Sequence, residues 1–131
     1  MARRERFPYR PDVHARLIEA AANGRTIMYG DVAPRWWVGT YLFRIAHEED
    51  AADRPPLTSI VVRKTSGRPG PGFLQAMQEI GYARQGETEE AVWRRAVADV
   101  FTYWRGKSAA DTLSGWQPKL SDDRRTWPRF Q

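Results

Sequence analysis

The 131-residue sequence predicts an α+β, mainly helical fold. Three observations carry this. Several segments space apolar residues three and four apart, one short segment is a run rich in Ile and Val, and a stretch crowded with Gly and Pro follows that run. Hydrophobic residues make up 41% of the chain and charged residues 28%, a balance that supports one packed core and argues against wholesale disorder. The length is that of one ordinary domain.

Residues 1–11 read as a basic arm, with Arg3, Arg4, Arg6 and Arg10 among Phe7, Pro8, Tyr9 and Pro11. Its prolines deny a helix there. Asp12 is expected to cap a first helix over 13–23, which Asn23-Gly24 ends. Gly24 to Gly30 is a turn with a short extended piece, and Asp31 starts a brief helix that Pro34 limits. Val38, Tyr41, Leu42, Ile45 and Ala46 form one apolar face of a helix from Val38 to Asp50. Arg54-Pro55-Pro56 breaks it. Leu57 to Lys64 is expected as a strand, and Thr65 to Gly72 as a long turn. Phe73 to Ile80 reads as a short helix with Phe73, Met77 and Ile80 on one side. Thr88 opens a longer helix to Arg105, whose stripe of Trp93, Val97, Val100 and Trp104 is expected in the core. Residues 107–131 lose periodicity and form an irregular tail with Trp116, Trp127 and Phe130, so that residues 12–106 make up the single domain. Helix, short helix, amphipathic helix, strand and basic glycine-rich turn together follow the plan of a winged-helix-like domain, here with a C-terminal helical extension.

Cysteine is absent, which excludes disulfides, thiolate catalysis and Cys-ligated zinc. The chain has two His, and His47 beside Glu48, Glu49 and Asp50 lacks the spacing of a metal site. No nucleophile elbow or phosphate-loop pattern occurs, and Gly67-Arg68-Pro69-Gly70-Pro71-Gly72 reads as a structural turn. No catalytic residue, cofactor or metal is therefore expected. No apolar run is long enough to span a bilayer, no apolar stretch follows the basic start as in a secretory leader, and a cytoplasmic location is expected. The charge balance of 21 basic against 16 acidic residues, net +5, suits an anionic partner, nucleic acid first.

One set of residues goes further. Gly24-Arg25-Thr26-Ile27-Met28-Tyr29-Gly30-Asp31-Val32-Ala33 is followed by Val38-Gly39, then by Pro55-Pro56-Leu57, Ile60-Val61-Val62 and Ser66-Gly67. In this order they resemble the DNA-binding domain of alkylguanine-DNA alkyltransferases and alkyltransferase-like proteins, over just under half the chain. The resemblance implies a recognition helix opening at Val38 and a Tyr, here Tyr29, beside the DNA backbone. Where the family carries its alkyl-accepting Cys and a His, this chain has Leu57-Thr58-Ser59-Ile60, so alkyl transfer is excluded. The family's Arg at the opening of the recognition helix aligns with Trp36, one residue from Arg35.

The expected function is non-catalytic binding of double-stranded DNA. Its expected contacts are Tyr29, Arg35, Trp36, the outer helix face Thr40, Phe43, Arg44 and His47, and the basic residues Arg63, Lys64 and Arg68 around the turn. Each has a plainer reading. Tyr29 can pack beneath the helices, Phe43 can be covered by residues 73–131, and the basic turn can be a solvated hairpin. Glu48, Glu49 and Asp50 at the end of the same helix oppose both the helix dipole and a phosphate. The alternative function is a protein-interaction module on the same scaffold, of a regulatory, immunity or phage-encoded host-modulating kind.

Overall fold

The computed structural model describes residues 6–34 and 36–128, so Arg3, Arg4, Arg35 and Phe130 lie outside the described residues. The elements in order are α1 Pro11–Ala22, β1 Ile27–Met28, α2 Tyr29–Val32, α3 Val38–Ala51, a 3-10 turn Leu57–Ile60, β2 Val61–Val62, α4 Phe73–Glu79, α5 Glu89–Trp104, α6 Ala109–Leu113 and a second 3-10 turn Arg124–Thr126. The fold is mainly helical with one small sheet. That sheet pairs β1 with β2 in parallel, Ile27 against Val61 and Met28 against Val62. Among the described residues no second, antiparallel strand follows the glycine-rich turn. No helix among them is long and apolar enough to cross a membrane.

Helix α1 starts on Pro11, whose fixed φ suits the first helical position and whose missing N–H is one the helix would leave unpaired anyway. Arg10 therefore occupies the cap position expected for Asp12. Asp12 sits in the first turn, where its charge complements the dipole and accepts two bonds from Arg10 at 2.8 and 2.7 Å. The exit is as expected: Asn23 caps the helix and Gly24 follows at φ 65°.

The main core gathers Val13, Leu17, Ile18 and Ala21 of α1, Leu42 and Ile45 of α3, Leu57 and Ile60, and Val100 and Trp104 of α5. A smaller cluster holds Phe73, Met77 and Ile80 with Val92 and Ala96. Val92, Ala96, Val100 and Trp104, spaced four apart, are all buried and join the two clusters along α5. The stripe expected from Trp93 and Val97 is thus rotated, and those two are half-buried.

The strand expected over 57–64 is only two residues long. Leu57 and Ile60 are both buried, and a residue pair three apart shares a face in a 3-10 turn but not in a strand. The tail expected to be irregular contains α6. Ser108 caps it by accepting from the Asp111 N–H at 3.2 Å, and Ala109 and Leu113 pack on the main core.

Candidate functional site

Helix α3 was expected to present Thr40, Phe43, Arg44 and His47 on one open face. Its second half is sealed instead. Arg44 is 1% exposed. Its Nε donates to Glu48 at 2.8 Å, one terminal nitrogen to Asp122 at 2.9 Å and to the Phe7 carbonyl, and the other to the Leu120 carbonyl at 2.5 Å. Glu48 also accepts from the Lys119 and Leu120 amides at 2.7 and 3.1 Å. A buried guanidinium persists only when its donors are met, and here arm and tail meet them. Arg44 is thereby corrected from an exposed contact to an interior clamp.

Phe43 and His47 share this cover. Phe43 stacks on Trp127 at 5.9 Å between ring centroids and meets Phe7 at 5.1 Å. His47 lies against Glu79 at 3.2 Å, and burial pushes its pKa below the usual imidazole value despite that carboxylate. His47 is buried and cannot read a ligand from solution. The plainer reading of Phe43 is the one observed, with the arm as an additional cover. Two of the three acids expected to oppose an anion, Glu48 and Glu49, are interior as well, while Asp50 is half-buried. Glu48 pairs with Arg44, and Glu49 accepts from Arg54 Nε at 2.7 Å and lies 3.5 Å from His14 Nε2.

The first turn of α3 is different. Trp36 is 86% exposed and Trp37 53% exposed, just before the helix begins. Trp37 stacks on Tyr41 at 6.4 Å, and the Arg10 guanidinium lies 5.1 Å from the Tyr41 ring and donates to its hydroxyl at 3.2 Å. No side chain caps this end of α3, and no acid stands in its first turn. Gly39 is exposed with open space where a side chain would be. Thr40 is half-buried.

The glycine-rich turn stands across from this end. It folds back through Arg63 N–H to the Arg68 carbonyl at 2.8 Å and Gly67 N–H to the Arg63 carbonyl at 2.9 Å. The half-buried Tyr29 hydroxyl accepts from Gly70 N–H at 3.0 Å. A Cβ on Gly70 would stand 3.0 Å from that oxygen, so the turn approaches α2 closely because residue 70 is Gly. Arg63 and Lys64 are exposed and have no ion-pair partner among the described residues. Arg68 is engaged: it pairs with Glu90 at 2.8 Å and lies 5.6 Å from the Trp93 ring. Arg68 and Arg94 together hold the Glu90 carboxyl below its ordinary range.

Between α3 and the turn lies an open cleft of about 360 Å³, lined among others by Tyr29, Leu42, Phe43, Thr58, Arg63 and Phe73. Its lining residues are mostly apolar or glycine, and Tyr29, Thr58 and Arg63 are the ones with polar side-chain groups. Among the described residues no cluster of His, Asp and Glu could hold a metal. No family model matches this chain, and no curated protein or solved structure matches it either.

The structure thus brings Tyr29 and Arg63 together at the cleft, whereas Trp36, Thr40 and Lys64 are not among its lining residues. It removes Arg44 and His47, and leaves Phe43 as a wall of the cleft. Sequence reasoning missed Trp37, although Trp36-Trp37 before the helix start is a pair that local burial could not absorb. It also missed that Glu48 and Glu49 point inward.

Proposed function

We propose that this protein binds double-stranded DNA without catalysing a reaction, using the amino end of α3 and the glycine-rich turn of a winged-helix-like scaffold. The observation that carries the reading is Trp36, an indole almost wholly in water, with an uncapped helix terminus beside it, together with Arg63, which lines the cleft and, like its neighbour Lys64, has no ion-pair partner among the described residues. An indole of this kind is suited to enter or lie against a base step, and the helix terminus and Arg63 and Lys64 to hold phosphates. Burial of Glu48 and Glu49 supports the same reading, since two acids that would repel a phosphate are neutralised inside. The resemblance to alkyltransferase-like proteins adds the expectation of such a scaffold. Thr58, from the stretch where that family has its Cys, lines the cleft. A hydroxyl is a weak nucleophile without an adjacent base, and His14 and His47 are buried, so alkyl transfer has no part in the reading.

The test is a salt titration of binding to random duplex DNA. A log–log slope of about −0.9 for each neutralised phosphate is expected. A chain that fails to bind duplex at about 50 mM salt would turn the reading to protein recognition, for which exposed Trp side chains are equally suited anchors.

A further inference from the structure

Three cations bracket the glycine-rich turn, and they differ in kind. Arg63 and Lys64 project without a partner among the described residues, whereas Arg68 is held on α5. Glu90, the residue that holds it, also pairs with Arg94 at 3.1 Å, so its carboxylate is fixed from two sides. Trp93, on which Arg68 stacks, is itself anchored by its indole N–H to the Ser59 carbonyl at 3.0 Å. Ser59 belongs to the 3-10 turn that leads into β2 and Arg63. The main chain of Arg68 meanwhile accepts the Arg63 N–H. Fixing the Arg68 side chain therefore fixes the carbonyl that closes the loop carrying Arg63 and Lys64. On the other flank the Tyr29 hydroxyl holds Gly70.

We propose that Arg68 is a positioning residue rather than a phosphate contact: stacked on Trp93 and paired with Glu90, it docks the turn on α5 so that Arg63 and Lys64 are preset for DNA. This rests on the DNA-binding reading above and assigns α5 a share in it. A preset loop loses less conformational freedom on binding than a free one, which is how a residue outside the contact raises affinity.

The two possible roles of Arg68 predict opposite signs. As a positioning residue, its pairing with Glu90 helps binding, so Glu90→Gln weakens duplex affinity, by about twofold to fivefold for an exposed pair. As a phosphate contact, Arg68 would be held back by Glu90, so Glu90→Gln would strengthen binding. Arg68→Ala separates them again. Positioning predicts lower affinity with an unchanged salt slope, while a lost phosphate contact makes the slope shallower by about 0.9. Arg68→Lys keeps the charge but not the planar stack, and is expected to behave like Arg68→Ala. Tighter binding by Glu90→Gln, a shallower slope in Arg68→Ala, or full rescue by Lys would each overturn the proposal. Arg63→Ala in parallel must show the shallower slope, which proves that the assay detects a true contact. Failure of the wild-type chain to bind duplex would instead remove the DNA reading itself.

Discussion

The two ends of α3 are built from similar residue types and meet opposite fates. At the carboxyl end Arg44, His47 and Glu48 are closed under the arm and tail, with Arg44 paired to Glu48 and Asp122, and Phe43 is covered on one side while it lines the cleft on the other. At the amino end Trp36, Trp37 and Gly39 remain open. An aromatic next to an arginine therefore says little about function until its cover is known. A charged side chain deep in the fold is a structural commitment, because losing one partner strands the other in a low-dielectric interior. An exposed indole has no such role, and Trp36 and Trp37 stand side by side in water at the helix start.

The sharpest break of this comparison is Arg44→Ala. It leaves Glu48 buried without its cation and frees the Phe7 and Leu120 carbonyls. A loss of about 3–5 kcal/mol is expected, read as a fall in melting temperature of about 10–20 °C. A thermal melt unchanged within about 2 °C would show that arm and tail do not depend on this clamp. Trp36→Ala should do the reverse. Its melt stays near wild type, and duplex affinity falls by about 1–3 kcal/mol if the indole stacks on a base. Equal affinity in fluorescence anisotropy would take the amino end of α3 out of the interface.

Removing Arg63 and Lys64 together should shift stability by no more than about 0.5 kcal/mol, since both are surface charges. The salt slope should become shallower by about 1.8, two contacts at 0.9 each. An unaltered slope in the folded double variant would leave the turn as a solvated hairpin.

The smallest effect concerns pH. The pKa of His47 lies below its unfolded value of 6.5, burial being the main cause. The unfolded chain then binds the proton more readily, so the contribution of His47 is complete above pH 6.5 and is lost as pH falls through the folded value. His47→Gln should flatten the stability–pH curve in the window just below pH 6.5, whatever it does to absolute stability. Asp123, held at a pKa of about 2 chiefly by Arg125, acts only at much lower pH, between 3.8 and about 2. An identical pH profile in the His47 variant would assign the acid response to other groups.

Periodicity and turn chemistry by themselves determined much of this protein. The apolar face of α3, the Thr88 start of α5 and the Asn23-Gly24 exit of α1 are written locally, because a helix face and a cap depend on residues within a turn of each other. The Gly- and Pro-rich turn was legible for the same reason. Tertiary structure decided which side of α3 faces water. The partners of Arg44 lie 37, 76 and 78 residues away, at Phe7, Leu120 and Asp122, beyond the reach of any local pattern. It also turned the expected strand over 57–64 into a 3-10 turn and two strand residues, since only packing could require Leu57 and Ile60 on one face. And it sorted three similar cations into two without an ion-pair partner among the described residues and one that is docked, because Glu90 and Trp93 come to Arg68 on a helix that folds back over the turn.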